Sequence, residues 1–524
     1  MSEVLVVGAG PTGLAMAAFL HAHGAGVRVV ERRAEPRPSR AFVVQPRTLE
    51  LLAPLGLADA LLAEAVPLAG VHLHAGRRSV PVGLAEAGIR DTAFPYLLPL
   101  PQATLERALE AHLLAAGVPV EREVEALACR PTTAGVTCVL RGRDGRRRDV
   151  EVDWLVGCDG VDSTVRRDLG IAYPGGEYRA ALLLADLQVE GDGLRPDALH
   201  AYVGAPGILF LFPFPRAGGW RLLTVAPAAA TPGDQVDLAT LQAVTDRFTG
   251  GGVQLSEPSW TAKVVLRHGQ ARRYRHGHGI LAGDAAHVQS PAGAQGMNTG
   301  IQDAANLGWK LAYVATGRAP ESLLDTYEAE RRPVARRVRH VTDLAFLGEA
   351  ADLPPLPLLR RWTAPVLLPL VRGRSLPAFA VRLLGGLWVS YRRSPDVADA
   401  AAVPPGGVRA GDRLPDVTVD GRRLHEVVSD PGYHLLRWPA RRAAEPSWDD
   451  PPAHVLVDRS RVPLAVHQFE ARHDVRATRP ARRRLADAEG AVYLVRPDGH
   501  VAYRERGTSL QGVLRHLGDR GLLR

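Results

Sequence analysis

Apolar residues at the start of the chain form two short runs, separated by a glycine-rich turn and a helical stretch. The first run, Val4–Val7, has no polar position, which is typical of a parallel strand buried on both faces. A helical pattern follows from Leu14 to about His23, and the second apolar run, Val27–Val30, ends on Glu31. The pattern therefore predicts a strand, a turn, a helix and a second strand, in that order.

The remaining pattern predicts further buried strands, a β-rich region and several helices. Leucines spaced by four give one apolar face to a helix over Ala103–Ala116. Gly279–Ala282 repeats the buried-strand pattern, and a long helix is predicted from about Met297 to Thr316. Polar and apolar residues alternate between many turn residues through 176–270, which indicates a β-rich insertion. Strands are also predicted within 70–100, 118–139, 153–158 and 491–503, and helices over most of 320–395.

The first turn has the spacing of a dinucleotide-binding motif. Gly8 allows a tight turn, Gly10 lets the backbone approach a pyrophosphate, and Gly13 lets the helix pack closely on the strand. The helix N-terminus favours phosphate, and Glu31 follows at the distance expected of a residue that binds a ribose diol. The sequence therefore predicts a nucleotide site, and the alternative is a glycine turn that binds none.

Length and composition exclude several classes of protein. A chain of 524 residues predicts two or three domains. The net charge of +8 comes almost wholly from arginine in short runs with little aromatic interleaving, which indicates solvated surfaces and no nucleic-acid partner. The three cysteines, Cys129, Cys138 and Cys158, show no metal-ligand or disulfide pattern, so we expect no metal and a reducing cytoplasm. No signal peptide or membrane-spanning segment is predicted.

Three stretches, in this order along the chain, carry a resemblance to a known family. They are Gly8–Gly13, the run Cys158–Arg166 (CDGVDSTVR), and Gly283–His287 followed by Pro291 and Gly296–Gly300. The chain resembles the FAD-dependent aromatic hydroxylases of the para-hydroxybenzoate hydroxylase-like group. Its length and last unit look most like the phenol and polyketide hydroxylases, which end in a thioredoxin-like domain.

The resemblance implies an α/β fold with four parts. We expect a discontinuous Rossmann-like FAD-binding domain over 1–175 and 271–345, and an inserted β-sheet substrate domain over 176–270 with part of 70–100. A helical segment over 346–400 would close the substrate side, and 409–524 would form the thioredoxin-like α/β domain. That last unit has no cysteine and cannot perform thiol–disulfide chemistry, so we expect a structural or assembly role for it.

The resemblance also implies a set of cofactor-binding residues. Asp284 would bind the ribityl chain of FAD, the loop 291–296 would lie along the isoalloxazine ring, and the helix from Met297 would direct its N–H groups at the flavin's N1–C2 edge. Asp159 belongs to a motif linked to both FAD and NAD(P)H, and a helix-capping role is the alternative. The full set is Gly8, Gly10, Pro11, Thr12, Gly13, Glu31, Arg32, Arg40, Gln102, Asp159, Asp284, Pro291, Gly293, Gly296, Met297 and Asn298.

The chain departs from the family pattern near the flavin and the substrate. Ala294 stands where many relatives have glycine, so a shifted loop is expected. Phe42 stands near the place of an acidic base in some phenol hydroxylases, and no catalytic residue is assigned. Four residues suit a phenolic substrate, but each is expected to be a core residue instead: Tyr96, Tyr178, Tyr202 and His287.

The function implied is an NAD(P)H-dependent FAD monooxygenase. It would use O2 to hydroxylate a phenolic or polyketide aromatic substrate through a flavin hydroperoxide, as a monomer or homodimer. The sequence shows no second nucleotide motif, and its many arginines favour NADPH over NADH. The alternatives are a Baeyer–Villiger or epoxidising monooxygenase acting on a polyketide and, from another class, a flavin-binding redox or assembly protein that does not oxygenate.

Overall fold

A six-stranded, mostly parallel sheet forms the N-terminal core. The computed structural model describes residues 3–36, 41–76, 78–84, 88–204, 207–214, 218–227, 236–290, 292–350, 375–400, 403, 407–419, 421–438, 452–469, 485 and 490–524. Val4, Leu5 and Val6 are fully buried, because the first helix and strands of a small three-stranded sheet pack against this sheet. In chain order its strands are β1 (Glu3–Val7), β2 (Gly26–Glu31), β7 (Val120–Arg122), β11 (Trp154–Gly157), β17 (Arg275–His276) and β18 (Gly279–Leu281), and in space they run β17-β18-β11-β1-β2-β7.

The first helix packs between two longer helices. α1 (Pro11–Ala22) contacts α4 (Gln102–Ala115) and α7 (Gln295–Ala315). A Cβ atom on Gly308 of α7 would lie 2.5 Å from Cβ of Phe19, so glycine permits this close crossing. The other described α-helices are α2 (Pro46–Leu52), α3 (Leu57–Glu64), α5 (Thr164–Asp168), α6 (Leu238–Thr249), α8 (Asp325–Ala350), α9 (Ser375–Leu384), α10 (Leu424–Val427), α11 (Ala453–Arg459) and α12 (Gln511–Asp519).

An eight-stranded mixed sheet faces the first sheet across a cavity. Leu182 and Leu184 point to one side of it, and Leu183 and Ala185 pack on the other side with α6. This helix begins at an Asp237 cap and ends at Gly250, and the sequence analysis did not predict it. The strands are β4 (Gly70–Ala75), β5 (Arg78–Gly83), β12 (Gly175–Gly191), β13 (Ala198–Gly204), β14 (Gly207–Pro213), β15 (Trp220–Pro227), β16 (Val253–Gln270) and β19 (His287–Val288), in the order β19-β16-β12-β15-β14-β13-β4-β5.

Three small sheets accompany the larger ones. Cys129 and Cys138 face each other across β8 and β9 as buried free thiols. The three-stranded sheet contains β8 (Glu125–Pro131), β9 (Val136–Arg141) and β10 (Arg147–Val152), and the two-stranded sheets pair β3 (Val43–Val44) with β6 (Leu98–Pro99) and β21 (Thr418–Val419) with β22 (Arg422–Arg423).

The C-terminal unit is a five-stranded sheet that packs against α7. Its strands are β20 (Ala398–Asp399), β23 (Tyr433–Trp438), β24 (Leu464–Gln468), β25 (Ala491–Val495) and β26 (Val501–Arg506), in the order β20-β26-β25-β23-β24. The predicted turn Pro497–Gly499 joins β25 to β26.

The thioredoxin likeness of this unit stays a prediction, and the Pro/Leu-rich segment 353–358 lies outside the described residues. None of the described helices is both long and apolar enough to cross a lipid bilayer.

Candidate active site

A cavity of about 1160 Å³ lies where four parallel strands end. β1, β2, β11 and β18 all direct their carboxyl ends at it, which is where ligands bind in open α/β sheets. Ordinary small-molecule sites have about 300–1,000 Å³, so this cavity has room for more than one molecule.

The glycine turn after β1 forms one wall of the cavity. Gly8 has φ +104°, and a Cβ atom on Gly13 would lie 1.8 Å from the carbonyl oxygen of Gly8, so both positions require glycine. Gly10 precedes α1, and no side chain caps the N-terminus of this helix. Its first N–H groups therefore remain available to an anionic ligand beside the turn.

Glu31 ends β2 and is held by the same turn. Its Oε2 accepts a hydrogen bond from the Ala9 N–H at 2.9 Å, and its Oε1 accepts one from the Arg33 N–H at 3.1 Å. The carboxylate lies on the cavity wall, as does the neighbouring Arg32. These contacts fix the position of the acid relative to the end of α1.

Asp159 follows β11, caps α5 and also lines the cavity. Its Oδ2 accepts hydrogen bonds from the N–H groups of Thr164 at 2.7 Å and Val165 at 3.1 Å, and its Oδ1 accepts one from Ser163 Oγ at 2.5 Å. Burial raises the pKa of the Asp159 carboxyl against the opposing effect of these donors. The capping role is therefore present in the same side chain that lies on the cavity wall.

Asp284 and the start of α7 form the opposite wall. Asp284 lies just after β18 in a short 3₁₀ turn, Gly283–Ala285, and its side chain is exposed to the cavity. Gly293, Gly296 and Met297 line the same region. No side chain caps the N-terminus of α7, so a second set of helix N–H groups opens into the cavity.

Ala294, the N-cap of α7, has a left-handed backbone with φ +53° and ψ +40°. This left-handed region is allowed but uncommon for a residue other than glycine. The expected shift of the loop relative to relatives that have glycine here stays a prediction. Its carbonyl accepts from Asn298 Nδ2 at 2.9 Å, which is one contact that holds this turn.

Two predicted site residues do not reach the cavity wall. Asn298 is fully buried, and its Oδ1 accepts from the Gln45 N–H at 3.0 Å and from Thr48 Oγ1 at 2.8 Å. It therefore ties α7 to the segment around α2. Gly13 acts through packing against Gly8, and the predicted residues Arg40 and Pro291 lie outside the described residues.

Gln102 and two residues missed by the sequence analysis add polar groups. Gln102 starts α4, lines the cavity and donates to Glu106 Oε1 at 2.7 Å, and burial raises the pKa of Glu106. Gln289 is buried in the wall, and its Nε2 has no acceptor among the described residues. Gln289 belongs to no motif, so its placement needs the folded chain.

The eight-stranded sheet supplies an apolar wall opposite the polar groups. Phe42 lies here and packs edge-on against Phe212 at 4.7 Å between ring centroids. None of the four residues considered for a phenolic substrate lines the cavity, and His287 instead bonds Asp303 Oδ2 at 2.6 Å in the core. The apolar wall includes Phe42, Leu182, Leu199, Phe210, Phe212, Leu223, Trp260 and Val264.

The fold and the cavity together define a nucleotide-binding enzyme with a second, apolar compartment. Two helix N-termini without side-chain caps, an acid at the end of β2 and the unsatisfied amide of Gln289 fit a large phosphate-bearing cofactor such as FAD. The chain belongs to the FAD binding domain family, whose model matches residues 1–342.

Individual relatives agree with this family assignment. The chain is similar to 6-methylpretetramide 4-monooxygenase of Streptomyces rimosus, with 36% identity over 521 residues, 95% of this chain and 90% of that protein. It is also similar to the structure of anhydrotetracycline hydroxylase from Streptomyces rimosus, with 31% identity, 98% coverage of both chains and a TM-score of 0.74. A ternary complex of aklavinone-11 hydroxylase with FAD and aklavinone gives 27% identity, 99% coverage of both chains and a TM-score of 0.77.

These findings confirm the predicted α/β fold, the FAD cofactor and the reaction class. The chain is an FAD-dependent monooxygenase of the aromatic hydroxylase group, for which NAD(P)H is the typical co-substrate.

Proposed function

We propose that the protein uses NADPH and O2 to hydroxylate a polycyclic phenol of the aromatic polyketide class. One observation carries the proposal: a single cavity joins two helix N-termini without side-chain caps to a broad apolar wall. A flat aromatic molecule fits a wall of this kind, and a fused-ring substrate uses more of its length than a simple phenol does.

The polar side of the cavity would hold FAD. The N-terminus of α1 and the turn Gly8–Gly13 would bind the pyrophosphate, and Glu31 would bind the ribose next to it. Asp284 would bind the ribityl chain, and the N-terminus of α7 would stabilise negative charge on the flavin's pyrimidine edge. Bound FAD supplies hydride acceptance from NADPH and the activation of O2 for oxygen transfer.

The apolar side would orient the substrate and exclude water. Phe212, Leu199 and Leu223 lie on the wall formed by the eight-stranded sheet, where they would press one face of the substrate ring towards the flavin side. Exclusion of water strengthens electrostatic interactions and suppresses side reactions. Phe42 has no ionisable group, so the proposal includes no protein base at that position.

NADPH would enter the same cavity transiently. Arg32 and Arg33 line it, and a guanidinium group is well suited to bind the 2′-phosphate of NADPH. The preference for NADPH rests on these arginines and is tested by comparing NADPH with NADH at equal concentration. We also keep the prediction of a monomer or homodimer, which light scattering measures directly.

The decisive experiment measures coupled turnover in the FAD-loaded enzyme. NADPH oxidation is followed with simple phenols, with fused tricyclic and tetracyclic phenols, and with no substrate, and the products are analysed by mass and NMR. A gain of one oxygen atom on an intact ring supports the proposal. A ring-expanded lactone supports the Baeyer–Villiger alternative, and NADPH oxidation that yields only hydrogen peroxide with every substrate supports the non-oxygenating alternative.

A matched pair of variants separates the substrate compartment from the FAD site. Leu199→Trp fills space on the apolar wall and is expected to abolish substrate-stimulated NADPH oxidation while FAD content stays normal. Leu114→Trp places the same side chain on the exposed face of α4, where Leu114 is 65% exposed, and is expected to behave as the parent enzyme. Equal turnover in both variants would contradict the placement of the substrate.

A further inference from the structure

Three histidines from two neighbouring strands meet on the face of the eight-stranded sheet that points away from the cavity. β4 and β13 pair in parallel, and the register places His200 opposite His72. His74 lies two residues after His72 and so on the same face. Leu199, next to His200, points the other way and lines the cavity. The cluster is therefore separated from the FAD and substrate cavity by the thickness of the sheet.

The ring nitrogens of this cluster are close enough to share one ion. One nitrogen from each of the three rings lies within 4.8 Å of the other two. His74 Nε2 and His200 Nδ1 are 3.0 Å apart. On a tetrahedral Zn²⁺ with bonds of about 2.0–2.1 Å, the nitrogen atoms of two imidazole ligands lie about 3.4 Å apart. His74 Nε2 and His200 Nδ1 would therefore need to move only slightly further apart.

The surroundings hold the rings in place and keep them neutral. Tyr202 stacks on His74 with ring centroids 4.2 Å apart, and His200 is fully buried. Burial, with the neighbouring rings, lowers the pKa of His74 and of His200 to about 4 each. A neutral imidazole has a free lone pair and is ready to bind a cation.

The far side of His200 contacts the backbone of Arg195. Its Nε2 accepts a hydrogen bond from the Arg195 N–H at 2.9 Å, and the carbonyl oxygen of the same residue lies 3.3 Å away. The proton of the neutral ring is therefore on Nδ1, which faces His74 Nε2. A cation at Nδ1 would displace this proton to Nε2, where the Arg195 carbonyl oxygen can accept it once the Arg195 N–H turns away. Such contacts fix the tautomer and the ring orientation of a metal-bound histidine.

We propose that His72, His74 and His200 form a binding site for one divalent late transition-metal ion, of which Zn²⁺ is the reference. Three neutral imidazoles suit Zn²⁺, Cu²⁺ or Ni²⁺ better than the oxygen-preferring Ca²⁺ or Mg²⁺. His72 and His74 are half-buried, so a fourth position remains for water. The ion would link β4, which comes from the N-terminal part of the chain, to β13. The alternative is a packed imidazole pair that binds no metal.

A second histidine pair elsewhere in the chain provides a matched control. His434 Nδ1 and His467 Nε2 are also 3.0 Å apart, and their rings are also stacked. Among the described residues, no third histidine, cysteine or carboxylate completes that pair into a metal-binding group. A site that needs three ligands should therefore lose Zn²⁺ when the first cluster is changed and keep it when the second pair is changed.

The test uses tag-free, chelator-treated, FAD-loaded protein and titrates it with Zn²⁺ against a chromophoric indicator. We expect one Zn²⁺ per chain in the micromolar range or tighter, and a higher melting temperature with Zn²⁺ present. His74→Gln should weaken binding at least tenfold and remove the melting shift, and His467→Gln should leave both unchanged. Co²⁺ in place of Zn²⁺ should give the visible absorption bands of a tetrahedral ion.

Three results of this titration would overturn the proposed metal site. Failure to bind Zn²⁺ at 1:1 below about 100 µM would overturn the proposal, as would equal binding in the parent and His74→Gln. Loss of the ion in His467→Gln alone would assign it to the other pair and also overturn the proposal. If His74→Gln does not retain FAD, the half-buried His72→Gln replaces it as the ligand-removal variant, under the same criteria.

Discussion

At the scale of single residues, Asp284 gives the sharpest test of how the cavity holds FAD. Its carboxylate is exposed to the cavity at the end of a buried strand. We expect Asp284→Asn to lower FAD affinity about ten- to a hundred-fold, since a charge-assisted hydrogen bond is worth roughly 1.5–3 kcal/mol. Misplacement of a reacting group by about 1 Å costs roughly a hundred-fold in rate, so a larger share of NADPH should end as hydrogen peroxide.

The measurements for Asp284→Asn are FAD content, peroxide yield per NADPH and melting temperature on one preparation. Asp149→Asn is the control, because Asp149 is exposed on β10 and does not line the cavity. If Asp284 only stabilised the turn, its replacement would lower the free energy of unfolding by only about 1 kcal/mol. A lower melting temperature with normal FAD content and normal coupling would therefore remove Asp284 from the cofactor site.

Ala294 stores backbone strain next to the flavin side of the cavity. A left-handed conformation costs a non-glycine residue about 1–2 kcal/mol, and glycine costs about 0.5–1 kcal/mol in lost chain entropy. Ala294→Gly is therefore expected to stabilise the protein by about 0.5–1 kcal/mol in urea unfolding. Ala115→Gly, in the exposed last turn of α4, should have the opposite sign. Destabilisation by both substitutions would show that Ala294 is not strained.

Site residues that depend on short-range spacing were predictable, and those placed by distant contacts were not. Gly8, Gly13 and Glu31 belong to one strand–turn–helix–strand unit whose geometry follows from its own sequence. Gln289 lies on the cavity wall directly after β19, a strand that is positioned by its pairing with β16 and that the sequence pattern does not predict. Asn298 was assigned to the cofactor, yet its partners are Gln45 and Thr48, about 250 residues earlier.

At the scale of elements, α7 joins the cavity to a buried group of charges. Lys310 Nζ donates to Glu330 Oε2 at 2.7 Å, and Arg496 donates to both oxygens of Glu330 at 2.6 and 2.9 Å. Arg496 also pairs with Asp498 at 2.5 Å and with Asp396 at 3.5 Å, so two bases and three acids form one group whose side chains are at most 2% exposed. Removing one member leaves an uncompensated buried charge, which costs about 3–5 kcal/mol.

Glu330→Gln tests this group of charges. We expect a loss of about 3–5 kcal/mol in the free energy of unfolding, measured by urea denaturation of the FAD-loaded protein. Glu321→Gln is the control, because Glu321 pairs with Arg275 at the surface, where a salt bridge contributes about 0–1 kcal/mol. Losses of equal size in the two variants would contradict the importance of the buried group.

The same acids make stability depend on pH. Burial disfavours the charged form of Glu330, but the charges of Arg496 and Lys310 outweigh it and lower the pKa of Glu330, and the pKa of Asp498 is lowered in the same way. Because the pKa of these carboxyl groups is lower in the folded state than in the unfolded chain, their contribution to the free energy of unfolding is complete above about pH 4.5. This contribution is lost as the pH falls towards the pKa of the folded state. The free energy of unfolding should therefore decrease as the pH is lowered below about 4.5, and it should decrease less steeply in Glu330→Gln.

Helices and strands whose apolar residues follow one clear period were predicted well. Regions that combine strand and helix patterns were predicted less well. The helix with leucines at 105, 109 and 113 and the strand at 279–281 appear where their patterns place them. Helix α6 was missed inside 176–270, because the alternation of the flanking strands dominates that region. The turn Pro497–Gly499 was predicted as a turn, but its burial against α7 was not, since its partner Asn306 lies 192 residues earlier in the chain.

At the scale of the whole molecule, the C-terminal unit and α7 share one hydrophobic core. Trp309 and Tyr313 of α7 are fully buried in a cluster that includes Tyr433, Leu435 and Leu494 of the five-stranded sheet. The rings of Trp309 and Tyr433 pack edge to face at 5.6 Å. This interface resembles the interior of a domain, which supports a structural role for the unit.

Removal of the C-terminal unit is therefore expected to damage the FAD site from a distance. Deletion of residues 390–524 would expose Trp309 and Tyr313 and leave Glu330 without Arg496, so we expect aggregation or loss of FAD on gel filtration. Tyr433→Ala disturbs the same interface without removing the unit and should lower the free energy of unfolding by about 3–5 kcal/mol. Val457→Ala is the control, because Val457 is 42% exposed in the same unit, and it should change the free energy of unfolding by less than about 0.5 kcal/mol. A deleted chain that stays soluble, keeps FAD and melts like the full-length protein would show that the unit is an independent appendage.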